Sequence, residues 1–333
     1  MRPVAVARSA ALSAFGGRAR GLGQGLAAGA LLPGLPAETP LANPRVRKMM
    51  SPAAYLAARC LVDLLRDVGW MGARDRVGYY LGVGASAGSL EDFMALLDES
   101  LVDGAFSLER FGHRGLAACN PLLAFQLMNN FTLCHGAILE GLGGPNSAVF
   151  SRGAGTIVAL GEAVHAVASG ECDRAITGGA DAPTHPATVA ELARDGFVGR
   201  GLVPADGAGM IALEPSSAGI VVEGCGVASG RGRALADAIA EAGAVARLAD
   251  PVDLVVIAPW GPPADDALRS WTSVRCPGAM VVSTTALGES LAASAALAVI
   301  AAADLLEPAC RALVLTLGVD GDPGVVVLAR GTG

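Results

Sequence analysis

Along almost the whole of this 333-residue chain the apolar periodicity switches back and forth between that of a strand and that of a helix. Alternation sustained over such a length restricts the fold to the α/β class, with helices laid on a sheet. RVGYYLGVGAS (76–86) is rich in Val, Tyr and Leu and bounded by glycine, and reads as a buried strand. SPAAYLAARCLVDLLRDVGW (51–70) puts Leu56, Cys60, Leu61, Leu64 and Leu65 on one face, with Ser51 placed as N-cap and Gly69 as the stop, and predicts a helix. The chain opens on a strand from Val4 to Leu12, followed by a helix. After two successive strands, GAGMIALEP (207–215) and GIVVEGCGVAS (219–229), the helix-strand series begins again and runs to PGVVVLAR near the end. This restart predicts two related halves, 1–215 and a contracted 216–333, joined in one compact unit without a flexible linker.

Composition narrows the function. Hydrophobic residues make up 52% of the chain but aromatics only 4%, and there are 45 glycines, so the core is built of small side chains that let helices lie close on sheets. Net charge is −7 with no basic run or basic-aromatic stripe, which argues against a nucleic-acid partner. The longest apolar stretch, LAASAALAVIAAADLL (291–306), contains Ser and Asp and falls short of the roughly 20 residues that span a bilayer, so no membrane partner is expected. The N-terminus lacks the uninterrupted apolar segment of a secretory signal. Seven cysteines, odd in number, scattered and never in a C-x-x-C pair, suit small buried thiols in a reducing cytoplasm, not a disulfide framework or a zinc site. No H-E-x-x-H spacing appears, and the glycines of TGGAD and ADGAG lack the phosphate-loop pattern, so neither metal nor cofactor is expected.

The stretch GPNSAVFSRGAGTIVALGEAVHAVASGECDRAITGGAD (144–181) reads as a strand, a small-residue turn, a helix apolar on every face, and a second strand. The helix N-terminus aims N–H groups and a positive dipole end at the turn Ser151-Arg152-Gly153-Ala154-Gly155, a setting that lowers a thiol pKa and stabilises an oxyanion. The turn has the surroundings of a nucleophile and no nucleophile. This stretch, with ADGAGMIALEP (205–215), VAVARSAALSAFG near the start, RVGYYLGVGASAGSLEDF, TTALGESLAASAALAVIAA and LVLTLGVDGDPGVVVLAR, resembles a β-ketoacyl synthase of the thiolase superfamily, with ordered matches over nearly the whole chain.

The resemblance implies a layered α-β-α-β-α fold of two related halves. It places the acyl-accepting cysteine on Gly153, the first catalytic histidine on Pro259 or Trp260, and the second on Glu289. Condensation needs a thiolate to hold the acyl chain and neutral imidazoles to stabilise an enolate, which an ionised Glu289 would repel. The resemblance therefore points to the degenerate partner subunit of the family, the chain length factor or ketosynthase beta subunit. That subunit pairs with an active ketosynthase and shapes the acyl tunnel of an acyl-carrier-protein-dependent (type II) polyketide, aryl polyene or fatty-acid-like pathway. Glutamine is common at the cysteine position of such subunits, and Gly153 departs from it. The segment NPLLAFQLMNNFTLCHGAILEG (120–141) falls on the interface helix, where Phe125, Met128, Asn129 and Thr132 share a face at helical spacing and are candidates for lining the tunnel. Arg152 is a candidate to pair with Glu289 across the vacant site, and His165 reads as a core histidine inside the buried helix. Other readings remain open: an enzyme with displaced chemistry, such as an acyltransferase or thioester hydrolase, and a self-paired pseudoenzyme that binds acyl chains.

Overall fold

The structure, a computed structural model, describes residues 2–13, 19–29, 41, 44–70, 72, 74–85, 87–249 and 251–331. Its main sheet has ten strands: β1 (Val4–Ser13), β2 (Val77–Val83), β3 (Asn146–Phe150), β4 (Arg174–Asp181), β5 (Gly207–Pro215), β6 (Ile220–Val227), β7 (Leu254–Pro259), β8 (Met280–Ser283), β9 (Arg311–Leu317) and β10 (Pro323–Arg330). The α-helices of five or more described residues are α1 (Leu22–Ala27), α2 (Pro52–Val68), α3 (Leu90–Ser100), α4 (Leu123–Leu127), α5 (Phe131–Glu140), α6 (Gly155–Ser169), α7 (Pro186–Arg194), α8 (Leu235–Val245), α9 (Pro262–Arg275) and α10 (Ser294–Leu305).

Strand order is β8-β7-β9-β10-β6-β1-β5-β4-β2-β3. Taken outward from the middle, β1-β5-β4-β2-β3 and β6-β10-β9-β7-β8 repeat one connectivity, each with two antiparallel pairings followed by two parallel ones. The two five-stranded sheets join through Ala5–Val221 and Val6–Ile220. Helices α6 and α10 lie between them: α6 packs on β2 and β4 and also on β6, while α10 packs on β5 and also on β7 and β9. Helix α2 covers the outer face of β1 and β5, and α8 and α9 cover the outer face of the other sheet. The result is the five-layered α-β-α-β-α arrangement of the thiolase-like fold.

Side-chain pattern explains the layering. Helix α10, SAALAVIAAADL, is apolar all round, and Ala295 to Ala302 are all buried, as a helix with a sheet on both sides must be. Alternation along the strands sends Val256, Val314 and Val326 into the central layer, and Val255, Leu313 and Val325 into the outer one. Helix α2 begins where Ser51 Oγ accepts from the Ala54 N–H at 3.1 Å and ends at Gly69, whose φ of 64° is the left-handed stop. Among the described residues no helix is long and apolar enough to cross a membrane.

Two expectations fail. Residues 120–141 do not form one helix: α4 ends at Leu127, Met128 is extended with ψ of 117°, and α5 starts at Phe131. Asn129 and Asn130 stand at the break, and asparagine competes with helix by bonding to nearby backbone. Phe125, Met128, Asn129 and Thr132 therefore do not share a helical face; Phe125 and Met128 are exposed at 39% and 51%, and Thr132 is buried at 1%. His165 is not a core residue, because the Val158–Glu162–His165 face of α6 is left open beside Tyr80 and Glu171.

Candidate functional site

The loops that follow β3, β4, β8 and β9 meet at the N-terminus of α6, the end of an α/β sheet where sites form. Strand β3 runs into Ser151-Arg152-Gly153-Ala154 before α6 starts at Gly155. The turn lies directly against the loop after β9. A Cβ on residue 153 would sit 2.7 Å from the Cα of Gly318 and 2.7 Å from Asp320 Oδ1. One obstacle is a side chain and the other is backbone, so a side chain at 153 requires the loop to move. The Cβ of a cysteine or glutamine would meet the same contacts.

Asp320 completes the closure. Its Oδ2 accepts from the Ser151 hydroxyl at 2.6 Å and from the Ala154 N–H at 3.1 Å, and its Oδ1 accepts from the Asp322 N–H at 3.3 Å. Ser151 Oγ in turn accepts from the Gly153 N–H at 3.2 Å. A carboxylate suits this place, since the first N–H groups of a helix lack intrahelical acceptors and carry the positive dipole end. Sequence reasoning missed Asp320. The available signal was the acid-rich turn GVDGDPG between the last two strands, in a stretch matched to the family without a role being given to its acids.

Glu289 is held by its backbone, donating to Val203 O at 2.8 Å and accepting from the Ala205 N–H at 3.0 Å. Its side chain points inward, 3% exposed, where the Ser294 hydroxyl donates to Oε1 at 3.1 Å. Burial pushes its carboxyl up to about 8, and the negative charges of Asp181 and Asp320 add to the rise against the hydrogen bonds from Ser294 and Leu291. Glu289 is thus much less readily ionised than an exposed carboxyl. Asp181, the last residue of β4, is 2% exposed, and burial pushes it up to about 7, with Asp206 adding and the Ala182 N–H, at 2.8 Å from Oδ1, opposing. Among the described residues its Oδ2 has no hydrogen-bond partner. The described acidic side chains do not form a group that could hold a metal ion.

Arg152 turns away from Glu289. Its guanidinium pairs with Glu191 and lies 3.8 Å from Asp195, both on or just after α7. The expected Arg152–Glu289 pair is therefore absent, because α7 brings Glu191 and Asp195 to the surface side of the turn while Glu289 is sealed within. The partly exposed pairing implies that Arg152→Ala lowers stability by about 1 kcal/mol or less, measurable by urea unfolding. Trp260, directly after β7, is 8% exposed and meets Phe197 edge to face at 5.0 Å, with Arg200 stacked 4.9 Å from its ring centre. The place predicted for the first histidine is an aromatic plug.

The family model described as "Beta-ketoacyl synthase, N-terminal domain" matches residues 34–218. The chain belongs to the β-ketoacyl synthase family. Solved structures extend the likeness along the whole β-ketoacyl synthase fold. The ishigamide ketosynthase/chain length factor superposes with a TM-score of 0.76 at 22% identity, over 99% of each chain. The AntDE:AntF assembly, a type II PKS acyl-carrier protein in complex with its ketosynthase bound to the hexaketide, gives 0.75 at 13% identity over 99% of this chain and 100% of that one. A β-ketoacyl synthase from Burkholderia phymatum STM815 gives 0.73 at 20% identity over 99% and 100%. At these identities the likeness is one of fold. No protein of curated function matches.

Proposed function

We propose that this β-ketoacyl synthase family member is a non-catalytic, chain-length-factor-like subunit. It pairs with an active ketosynthase and helps shape the tunnel into which an acyl or polyketide chain grows on an acyl carrier protein. The observation that carries the reading is the closed turn: position 153 has neither a side chain nor the space for one. With Trp260 and Glu289 at the histidine positions, no thiolate and no pair of imidazoles is available for condensation. The halves 1–215 and 216–333 act as one scaffold.

A partner surface supports the same reading. Most of the exposed large apolar side chains fall between residues 90 and 150, among them Phe93, Phe106, Phe125, Met128, Ile138 and Phe150. Strand β3 ends the sheet order, so its outer edge offers free backbone groups for pairing, a feature that a monomer has to protect. The catalytic ketosynthase covers this face, and the acyl carrier protein is reached through the complex. Phe125 and Met128, beside Asn129 at the helix break, face the partner, while Thr132 supports them from within α5.

Co-expression with a candidate ketosynthase, followed by mass analysis of the complex and a condensation assay with carrier-bound malonyl units, tests the proposal. A one-to-one complex is expected, with activity lost when this chain is omitted. Phe125→Asp or Met128→Asp should weaken copurification at least tenfold, since burying a carboxylate in an apolar contact is strongly unfavourable. A stable homodimer indifferent to the ketosynthase would support self-pairing instead. Turnover of acyl thioesters by this chain alone would support displaced chemistry.

A further inference from the structure

The turn at the head of α6 is held shut from one direction. The loop after β9, residues 318–322, is attached to it through a single side chain that reaches two points: Asp320 Oδ2 takes the Ser151 hydroxyl at 2.6 Å and the Ala154 N–H at 3.1 Å. Those contacts lie beside the place where Gly318 meets Gly153. Asp320 itself is exposed, and Gly321 follows it with φ of 80°, so the loop turns at a residue suited to a left-handed conformation. Only the tip at Asp320 and Gly321 is exposed: Val319 packs on the outer core and Asp322 Oδ1 accepts from the Gly230 N–H at 2.9 Å, so it is this tip that Asp320 holds to the turn.

We infer that Asp320 is a tether that presses the loop after β9 onto the turn, and that this contact, beyond the lack of a side chain at 153, keeps the former nucleophile position closed. The inference rests on the reading that residue 153 has no acyl-accepting role, and extends it to the contact that keeps the position shut. A thiol placed at 153 meets Gly318 and the Asp320 carboxylate while the tether holds. Once the tether is cut, the Asp320 carboxylate no longer stands 2.7 Å from the Cβ, and the loop is free to withdraw from it.

Two measurements test it. In the first, Gly153→Cys and Gly153→Cys/Asp320→Gly are treated with iodoacetamide and the peptide containing residue 153 is followed by mass. The thiolate sulfur attacks the methylene carbon, the C–S bond forms as the C–I bond breaks, iodide leaves, and the thiol proton goes to solvent. Alkylation at 153 is expected to be at least tenfold faster in the double variant, and equal rates would overturn the inference. The second measurement needs no cysteine. Hydrogen exchange at the Ala154 amide should accelerate at least tenfold in Asp320→Gly and stay near the parent rate in Asp320→Asn, whose side-chain oxygen still accepts. Unchanged exchange in Asp320→Gly would overturn the inference even if the cysteine variants fail to fold. Neither outcome bears on copurification with a ketosynthase, so a failed tether and a failed partner role are told apart.

Discussion

The free energy of unfolding is expected to fall as pH rises from about 4 to about 8, with Glu289→Gln and Asp181→Asn each removing part of the slope. Burial raises both carboxyls in the folded chain, Asp181 to about 7 and Glu289 to about 8, whereas in the unfolded chain they titrate near their ordinary values. Between those limits the unfolded state binds fewer protons than the folded state, so stability is greatest below the unfolded pKa and is lost as pH climbs through the folded one. At about 1.4 kcal/mol per pKa unit, each carboxyl accounts for on the order of 4–5 kcal/mol across the window. Asn at 181 retains an oxygen for the Ala182 N–H, and Gln at 289 retains one for Ser294. Both variants should be more stable than the parent at pH 8 and nearly equal to it at pH 4. Urea unfolding across pH is the check; a parent stability that rises over this window, or variants that run parallel to it, would contradict the assignment.

Gly153→Cys and Gly153→Gln are expected to destabilise the chain by about 3 kcal/mol, because a Cβ there would lie 2.7 Å from the backbone Cα of Gly318 as well as from the Asp320 carboxylate, and both must shift to admit it. Gly318→Ala should behave alike, as a Cβ there would lie 2.7 Å from the Arg152 carbonyl oxygen. Gly161 is the internal control. It lies inside α6, where the nearest atom to a new Cβ is 3.6 Å away, so Gly161→Ala should be neutral or stabilising by about 1 kcal/mol. Thermal or urea unfolding separates the two classes. Loss of stability at 153 that does not exceed the change at 161 would mean that the turn and loop do not press on each other.

How much of this was legible in the sequence depended on how local the cause was. Helix α2 was readable because its cap, its stop and its apolar face lie within twenty consecutive residues, and β2 because its run is bounded by glycine. The restart of the helix-strand series suggested two related halves, while the five layers were legible only through the family resemblance. The break between α4 and α5 overrode an apolar stripe that otherwise fitted a helix, as two asparagines at the junction outweighed periodicity. Arg152 was paired with the wrong acid because α7 is brought over the turn by tertiary structure. Asp320 was missed for a similar reason: Ser151 and Asp320 are 169 residues apart, and nothing near Gly153 in the chain shows that a carboxylate from the last loop rests on it.

The central claim is that this chain carries no acyl group and acts through a partner that does. The most direct measurement is intact mass spectrometry of the chain alone, and of its complex with a ketosynthase, after incubation with an acyl carrier protein bearing an acyl thioester. The account predicts an acyl adduct on the ketosynthase and an unchanged mass for this chain in both samples. An acyl adduct on this chain, or acyl thioester consumed in the sample that lacks the ketosynthase, would contradict it.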